Sequence, residues 1–245
     1  MSLAPALPPL APAPRAEPLL TVRGLVLDLG PVRALDDVSF DVVQGSTTTF
    51  VGTRGAGKTA LVQALTGLVR PARGSIRFRG QELLGLSSHR IASLGIAHVP
   101  EGRQLFASMS VRENLELGAA PPHAREGARQ RLERILALFP RLADYADIDA
   151  GALNAGEQQM VAVGRCLMAA PELILFDEPT RGLSPKLARQ LFQLIGTLEA
   201  EGMTIILMER NAPAALRLSD SAHVLERGRI VLSGPGLDLL EDGGG

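Results

Sequence analysis

The chain has 245 residues, of which 46% are hydrophobic, but it contains no Trp and a single Tyr, so aliphatic side chains must fill its core. Its 25 basic and 26 acidic residues nearly cancel, and without a basic block the chain lacks the electrostatic footprint of a nucleic-acid-binding protein. The one cysteine, Cys166, excludes an internal disulfide.

The N-terminal segment suits neither a membrane span nor a signal peptide. Residues 1–14 form the longest uncharged stretch and carry five prolines and no basic start. A spanning helix needs about 20 apolar residues. We therefore predict a disordered tail over residues 1–18, one domain over 19–241 and a short tail over 242–245.

Short runs rich in Val, Ile and Phe alternate with longer helical patterns, which predicts a mostly parallel sheet flanked by helices. Strands are predicted at 19–27, 38–43, 47–52, 75–79, 95–99, 172–177, 204–208, 221–226 and 229–233. Helices are predicted at 58–69, 110–118, 124–138, 155–169, 185–200 and 211–218. Residues 103–168 hold no convincing strand and are predicted to be a helical insertion between two halves of the sheet.

The strongest motif is Gly52-Thr-Arg-Gly-Ala-Gly-Lys-Thr59, which matches G-x-x-x-x-G-K-[ST] between a predicted strand and a predicted helix. Its glycines let backbone N–H groups wrap phosphates, and the start of the helix directs its positive end at the same anion. Lys58 is expected to reach the β and γ phosphates, and the Thr59 hydroxyl to hold Mg²⁺. The predicted nucleotide-binding residues here are Gly52, Thr53, Arg54, Gly55, Ala56, Gly57, Lys58, Thr59 and Ala60.

A second motif, Leu173-Ile-Leu-Phe-Asp-Glu178, ends an apolar strand with two acids. Asp177 is placed to hold Mg²⁺ directly or through water. Glu178 is placed to orient or deprotonate an attacking water, as a general base. Adjacent acids after a strand are also common where helices begin, so this interpretation depends on the phosphate-binding loop upstream.

Together with the segment Leu153-Asn-Ala-Gly-Glu-Gln-Gln159 and the run Phe176–Pro185, these motifs resemble an ATP-binding-cassette ATPase over about residues 19–241. The resemblance implies a P-loop NTPase α/β fold with a helical subdomain and an antiparallel β subdomain, and ATP with Mg²⁺ as ligands. The phrases Ile96–Phe106, Ser110–Leu115 and Gly228–Pro235 are similar to branched-chain amino acid importers of the Liv type.

In this family the loop position held here by Glu101 touches both the nucleotide site and the transmembrane partner, and glutamate there is typical of the Liv-like group. The signature segment is Leu153, Asn154, Ala155, Gly156 and Glu157, where relatives usually have Leu-Ser-Gly-Gly-Glu. Asn154 and Glu157 are close to a capping box, so a helix should still begin there. The segment is expected to complete the ATP site of a partner subunit; the alternative is that it is only a helix cap.

Two further positions depart from the family pattern. Leu29 falls where an aromatic residue stacks on adenine, and a leucine forgoes about 1 kcal/mol of stacking. Arg210 occupies the switch position, where many relatives have histidine. It could neutralise phosphate charge or be a solvated residue at a helix start, and we favour the solvated interpretation.

The resemblance implies an ATP-hydrolysing subunit at the cytoplasmic face of a bacterial inner membrane. Its partners would be transmembrane permeases, a second ATPase subunit in a heterodimer and, indirectly, an extracytoplasmic solute-binding protein. One alternative is a regulatory subunit that binds ATP but scarcely hydrolyses it, which the departures at Leu29, Asn154, Ala155 and Arg210 favour. Another, a cassette ATPase acting on DNA or in translation, predicts a coiled coil, a basic arm or a second cassette, none of which the sequence contains.

Overall fold

The computed structural model describes residues 18–242. The predicted tails 1–18 and 242–245 lie outside these residues, apart from Pro18 and Asp242. None of the described helices is long and apolar enough to cross a membrane.

Two sheets form the framework of the fold. The first is antiparallel, in the order β2-β1-β4-β5, with strands β1 Pro18–Leu29, β2 Val32–Val43, β4 Arg73–Phe78 and β5 Gln81–Glu82. The second has the order β10-β9-β3-β8-β7-β6, with strands β3 Thr47–Val51, β6 Ile96–Val99, β7 Leu173–Asp177, β8 Thr204–Glu209, β9 Ser221–Glu226 and β10 Arg229–Gly234. All its pairings are parallel except that of β9 with β10.

Ten α-helices are named in the described residues. They are α1 Lys58–Leu65, α2 Ser88–Ser93, α3 Val111–Leu117, α4 Pro122–Arg125, α5 Ala128–Leu138, α6 Pro140–Asp144, α7 Ala155–Met168, α8 Pro185–Ala200, α9 Ala212–Leu216 and α10 Gly236–Asp242. The named elements between β6 and β7 are all helical, from α3 to α7 with a short 3-10 helix at Ala150–Ala152.

The central strands β3, β7 and β8 are buried along their whole length, as expected for parallel strands covered on both faces. Alternate residues point to two different cores. Leu173 and Leu175 join the cluster beneath the antiparallel sheet and α1, whereas Ile174 and Phe176 join the cluster formed with α3, α5, α7 and α8. The polar residues of β7 and β8 therefore lie at the strand ends, and the last residues of the two strands are the acids Asp177 and Glu209.

The structure confirms the predicted α/β architecture, and every predicted strand overlaps an observed one. The predicted helix over 124–138 is wrong in one respect, because α4 and α5 are separate. Gly127 between them adopts a left-handed φ of 66°, which interrupts the helix. The short elements β5, α2, α6 and α10 are not predicted, since runs of two to seven residues carry little periodicity.

Candidate functional site

The loop from Gly52 to Gly57 joins the carboxyl end of β3 to the start of α1. A Cβ atom on Gly52 would lie 2.4 Å from the carbonyl oxygen of Leu225, and one on Gly57 would lie 2.7 Å from that of Ala34. Gly57 also has φ 112° and precedes α1 without any side-chain cap. The loop is therefore packed against neighbouring backbone. The N–H groups in the first turn of α1 are not capped by a side chain.

Lys58 is the first residue of α1, and only 4% of it is exposed. Its Nζ atom donates hydrogen bonds to the carbonyl oxygens of Gly52, at 2.7 Å, and Thr53, at 3.0 Å. The same Nζ lies 3.3 Å from Oε1 of Glu178. A buried ammonium in these contacts is placed where an anion held by the loop would meet it.

Asp177 ends β7 and is buried, with Oδ1 lacking any hydrogen-bond partner. Burial and the neighbouring charge of Glu178 raise the pKa of Asp177 to about 6, while Lys58 and the Thr59 hydroxyl act in the opposite direction. An unpartnered carboxylate oxygen beside a hydroxyl is a donor set that fits Mg²⁺, which prefers oxygen ligands. The described residues contain no group of three or more His, Cys, Asp or Glu that could hold a metal, so such an ion would need phosphate and water oxygens as well.

Glu178 follows directly and has a left-handed φ of 45°. Its N–H donates to the carbonyl oxygen of Met208 at 2.9 Å, which fixes it against the neighbouring strand β8. Oε2 accepts from Nε of Arg210 at 2.7 Å and also from Nη2. Burial acts to raise the pKa of Glu178, but the hydrogen bonds from Arg210 and Lys58 outweigh it and hold that pKa below its ordinary value.

Glu209, at the end of β8, is a buried acid that the sequence analysis missed. Oε1 accepts from the N–H of Thr180 at 3.1 Å and from its hydroxyl at 2.6 Å. Oε2 accepts from the N–H of Arg210 at 3.0 Å and that of Asn211 at 3.4 Å. Glu209 thus fastens the loop after β7 to the loop after β8. A charged residue closing an otherwise apolar strand is the signal that could have revealed it.

One cavity of about 570 Å³ collects most of the predicted nucleotide-site residues. The loop and α1 contribute Arg54, Gly55, Gly57, Lys58, Thr59 and Ala60, and the facing residues include Leu29, Glu101, Glu178 and Arg210. Gly52 and Thr53 line an adjoining cavity, and Ala56 is buried. Leu29 is 41% exposed at the hairpin between β1 and β2, so it can cover a ring from one side.

Glu101 forms an ion pair with Arg181, and both side chains line the cavity. The loop that follows Glu101 has two non-glycine residues with positive φ, Arg103 at 67° and Gln104 at 46°. Arg165 on α7 donates to the carbonyl oxygens of both, at 3.3 Å and 2.9 Å. The loop at Glu101, which in this family touches the nucleotide site and the transmembrane partner, is therefore hydrogen-bonded to α7, the helix that begins at the signature segment.

The comparisons with known proteins agree with this geometry. Residues 35–181 match the family described as ABC transporter. The chain belongs to the ABC transporter family. Domains of this family bind ATP or ADP. The chain's relatives are ATP-binding subunits of ABC transporters, which implies that it has transmembrane permease partners. Membership of this family, together with its relatives, is consistent with ATP hydrolysis that is coupled to transport.

Two curated relatives of this ABC transporter domain are similar over most of their length. The chain is 45% identical to "High-affinity branched-chain amino acid transport ATP-binding protein BraG" of Pseudomonas aeruginosa, covering 86% of this chain and 90% of that protein. It is 36% identical to "Probable branched-chain amino acid transport ATP-binding protein LivF" of Archaeoglobus fulgidus, covering 84% and 88%. These relatives agree with the resemblance to Liv-type importers.

Solved structures confirm the ABC ATPase fold. A nucleotide-free ATP-binding cassette from an ABC transporter has a TM-score of 0.82 at 28% identity, covering 92% of this chain and 94% of that one. The ADP conformation of another cassette has a TM-score of 0.80 at 27% identity, covering 93% and 96%.

The signature residues Leu153–Glu157 lie apart from the cavity at the loop Gly52–Thr59, here called the P-loop cavity. Residues 154–157 border a different cavity, of about 730 Å³, and Leu153 is buried. Asn154 is exposed and caps α7, since its Oδ1 accepts from the N–H groups of Gly156, at 3.0 Å, and Glu157, at 3.1 Å. Glu157 returns the contact by accepting from the N–H of Asn154 at 3.1 Å, which completes the predicted capping box. The structure therefore does not bring the signature together with this chain's own P-loop.

The sequence left two interpretations of Arg210 open, and the structure adds a contact with Glu178 that neither of them included. The Arg210 side chain is 38% exposed, yet its guanidinium is bound to Glu178. The partner lies 32 residues earlier in the chain, and only the pairing of β7 with β8 brings the two loops together.

Proposed function

We propose that this chain is the ATP-binding and ATP-hydrolysing subunit of a bacterial ABC importer for branched-chain or related amino acids. The observation that carries the proposal is the meeting of Lys58 and Glu178, 3.3 Å apart, at the carboxyl ends of β3 and β7. A cation for phosphate and a carboxylate for water therefore lie side by side at the place where a terminal phosphate would bind. The 45% identity to a branched-chain amino acid transport ATP-binding protein supports the cargo class.

The loop Gly52–Thr59 would bind the phosphates through its backbone N–H groups and Lys58. Arrival of phosphate would draw the Lys58 ammonium away from the carbonyl oxygens of Gly52 and Thr53, which it contacts here. Thr59 and Asp177 would hold Mg²⁺, which neutralises charge on the phosphate oxygens when it is bound. Glu178 would accept a proton from the attacking water, as the general base.

The nucleoside would extend toward the hairpin of β1 and β2, because the phosphates occupy the loop at the other side of the cavity. Leu29 would cover the base there without π-stacking. A side chain of this kind contributes apolar contact but no directional recognition. We therefore expect moderate affinity and weak discrimination between purine bases.

The signature segment Leu153–Glu157 would complete the site of a second ABC ATPase subunit, since it lies apart from this chain's own P-loop cavity. We propose a heterodimer, in which two different signature segments face two different P-loops. The pair would dock on permease subunits at the cytoplasmic face of the inner membrane through the loop around Glu101, and an extracytoplasmic solute-binding protein would deliver the cargo. A homodimer of this chain that supports full transport would contradict the heterodimer.

The direct test is binding and turnover of ATP by the purified chain, with and without Mg²⁺. Lys58→Ala should weaken ATP binding at least 100-fold, because a buried charge-assisted contact to phosphate is removed. Lys186→Ala, at the other lysine of the chain, should leave binding unchanged. Glu178→Gln should bind ATP but lose at least 99% of turnover. Unchanged ATP binding in Lys58→Ala would refute the proposed function.

A further inference from the structure

A second cavity adjoins the P-loop cavity and is lined by residues from α9, β9, β10 and α10 as well as by Gly52 and Thr53. Its volume is about 610 Å³, and it is here called the α10 cavity. Small-molecule sites in proteins have volumes of about 300–1,000 Å³, mostly apolar walls and a few polar groups. The roles proposed for nucleotide, Mg²⁺ and partner subunits leave the apolar wall of this cavity without a function.

The wall of the α10 cavity is largely aliphatic. Its larger aliphatic residues are Val51, Leu216, Val224, Leu232, Leu239 and Leu240. Val51, Leu216 and Leu239 form part of a small buried cluster, whereas Leu232 on β10 is 47% exposed. Covering such a wall with an apolar group removes hydrocarbon surface from water, which favours binding of a ligand that carries an aliphatic side chain.

Three charged residues line the same cavity, namely Arg54, Arg210 and Glu226. The guanidinium of Arg210 is bound to Glu178. Arg54 and Glu226 are exposed, and neither forms an ion pair with any residue that the structure describes. The cavity therefore offers one cation and one carboxylate that are free to bind a ligand.

The sheet explains why these two charges line one cavity. Strands β3 and β9 are parallel neighbours, with Val51 opposite Val224. Arg54 and Glu226 follow within three residues of that pair, so both lie beyond the carboxyl ends of adjacent strands. Crevices at this edge of a parallel sheet are common ligand sites.

An unpaired cation and an unpaired carboxylate beside an aliphatic wall are complementary to a zwitterion with an aliphatic side chain. We propose that the α10 cavity binds a free aliphatic amino acid such as leucine. Its carboxylate contacts Arg54, its ammonium group contacts Glu226, and its side chain packs against the aliphatic wall at Leu232. The binding site does not depend on the proposed function, whereas its effect on ATP binding does.

Arg54 lines the P-loop cavity as well as the α10 cavity, so it connects the two sites. A carboxylate at Arg54 neutralises positive charge that would otherwise face the phosphates, and it adds a negative charge near them. The amino acid should therefore weaken ATP binding. By thermodynamic linkage, ATP should weaken binding of the amino acid by the same factor.

The experiment is titration calorimetry of leucine into the full chain without nucleotide. We expect a dissociation constant of about 1 mM or lower, as for a small ligand with few contacts. Isocaproate lacks the ammonium group of leucine, isoamylamine lacks its carboxylate, and glycine lacks its side chain. Each should bind at least about tenfold more weakly, because one of the three contacts is lost.

Glu226→Gln should weaken leucine at least about tenfold but leave isocaproate unchanged, because isocaproate has no ammonium group for this carboxylate. The matched control is Glu116→Gln, at an exposed acid of α3 that does not line the cavity, and it should change neither ligand. ATP affinity in the presence of Mg²⁺ should fall about threefold when leucine is saturating. In Glu226→Gln, the same concentration of leucine should no longer change it.

Absence of leucine binding would overturn the proposal, as would equal binding of leucine and isocaproate or an unchanged leucine affinity in Glu226→Gln. If Glu226→Gln does not fold, Leu232→Trp replaces it, and filling the cavity from β10 should abolish leucine binding while ATP still binds. Self-association of the chain that Leu232→Glu abolishes, without leucine binding, would assign the cavity to a second copy and contradict the proposal. Lys58→Ala tests the proposed function separately, since Lys58 lines only the P-loop cavity of the two.

Discussion

The P-loop and the signature segment both present the start of a helix to solvent, but they satisfy that helix end in opposite ways. At α1 the residue before the helix is Gly57, and no side chain caps the first turn. At α7 it is Asn154, whose side-chain oxygen occupies the N–H groups of Gly156 and Glu157. Both ends carry the positive pole of a helix dipole, but at α7 two of the donors that could bind an anion are already occupied by the cap.

This contrast indicates which of the two regions can bind an anion without a partner subunit. At the P-loop, Lys58, Glu178 and part of the glycine-rich loop line one cavity. The signature segment has a helix end capped by its own side chain, and the acid within it, Glu157, is paired with Arg141 at 2.9 Å.

The largest effect on nucleotide binding is expected when the same glycine-to-alanine substitution is made in each of the two regions and the results are compared. Gly52→Ala would place a Cβ 2.4 Å from the backbone carbonyl of Leu225, which cannot yield, so the loop must shift. We expect nucleotide binding by the isolated chain to fall at least 100-fold. Gly156→Ala would meet the end of the Leu187 side chain at 2.7 Å, which can rotate, and would reach Oδ1 of Asn154 only at 3.4 Å.

Binding of ATP by the isolated chain should therefore be unchanged in Gly156→Ala, whereas turnover of the assembled pair should fall. Titration calorimetry on both variants checks the first expectation, and turnover with the partner subunit checks the second. A loss of ATP binding in Gly156→Ala would show that the signature segment and the P-loop do not act independently.

A smaller effect is expected at the cap of α7. Asn154→Ala removes an acceptor for two N–H groups and should lower the free energy of unfolding by about 1 kcal/mol. In a chain of this size that loss lowers the melting temperature by about 2–4 °C. Asn154→Ser keeps a capping oxygen and should melt within about 1 °C of the natural chain. Neither substitution should change ATP binding by the isolated chain.

The outcome is measured by thermal melting with and without ATP. If Asn154→Ala melts like the natural chain, the cap contributes nothing to stability. The closed helix end would then not be the reason for the contrast with α1.

Sequence reasoning predicted the P-loop, Asp177 and Glu178 because short fixed spacings encode them. The capping box at Asn154 was predicted for the same reason, since its two residues are three positions apart. Glu209 and the pairing of Arg210 with Glu178 were not predicted. They depend on the register of two parallel strands that meet only in the fold.

The fold, like the site, has elements that local sequence predicts and elements that only tertiary contacts determine. Long buried runs such as β7 and β8 identify themselves as strands by composition. The break between α4 and α5 depends on one glycine with positive φ, and α10 is held by contacts with β9, β10 and α9 rather than by its own pattern. Local sequence therefore specifies the frame of the site, and tertiary contacts specify which charges meet within it.

The smallest effect is expected at Leu29, where the P-loop cavity depends on a side chain rather than on backbone. Leu29→Tyr would supply a ring for the base, but the position is 41% exposed, so the gain should be about 0.5 kcal/mol, or roughly twofold in ATP affinity. Binding of inorganic tripolyphosphate, which has no base, should be unchanged. Leu68→Tyr, at an exposed leucine that does not line the P-loop cavity, is the matched control and should alter neither ligand. If Leu29→Tyr strengthened ATP and tripolyphosphate alike, the substitution would act on the phosphate loop, and the base would not lie against this hairpin.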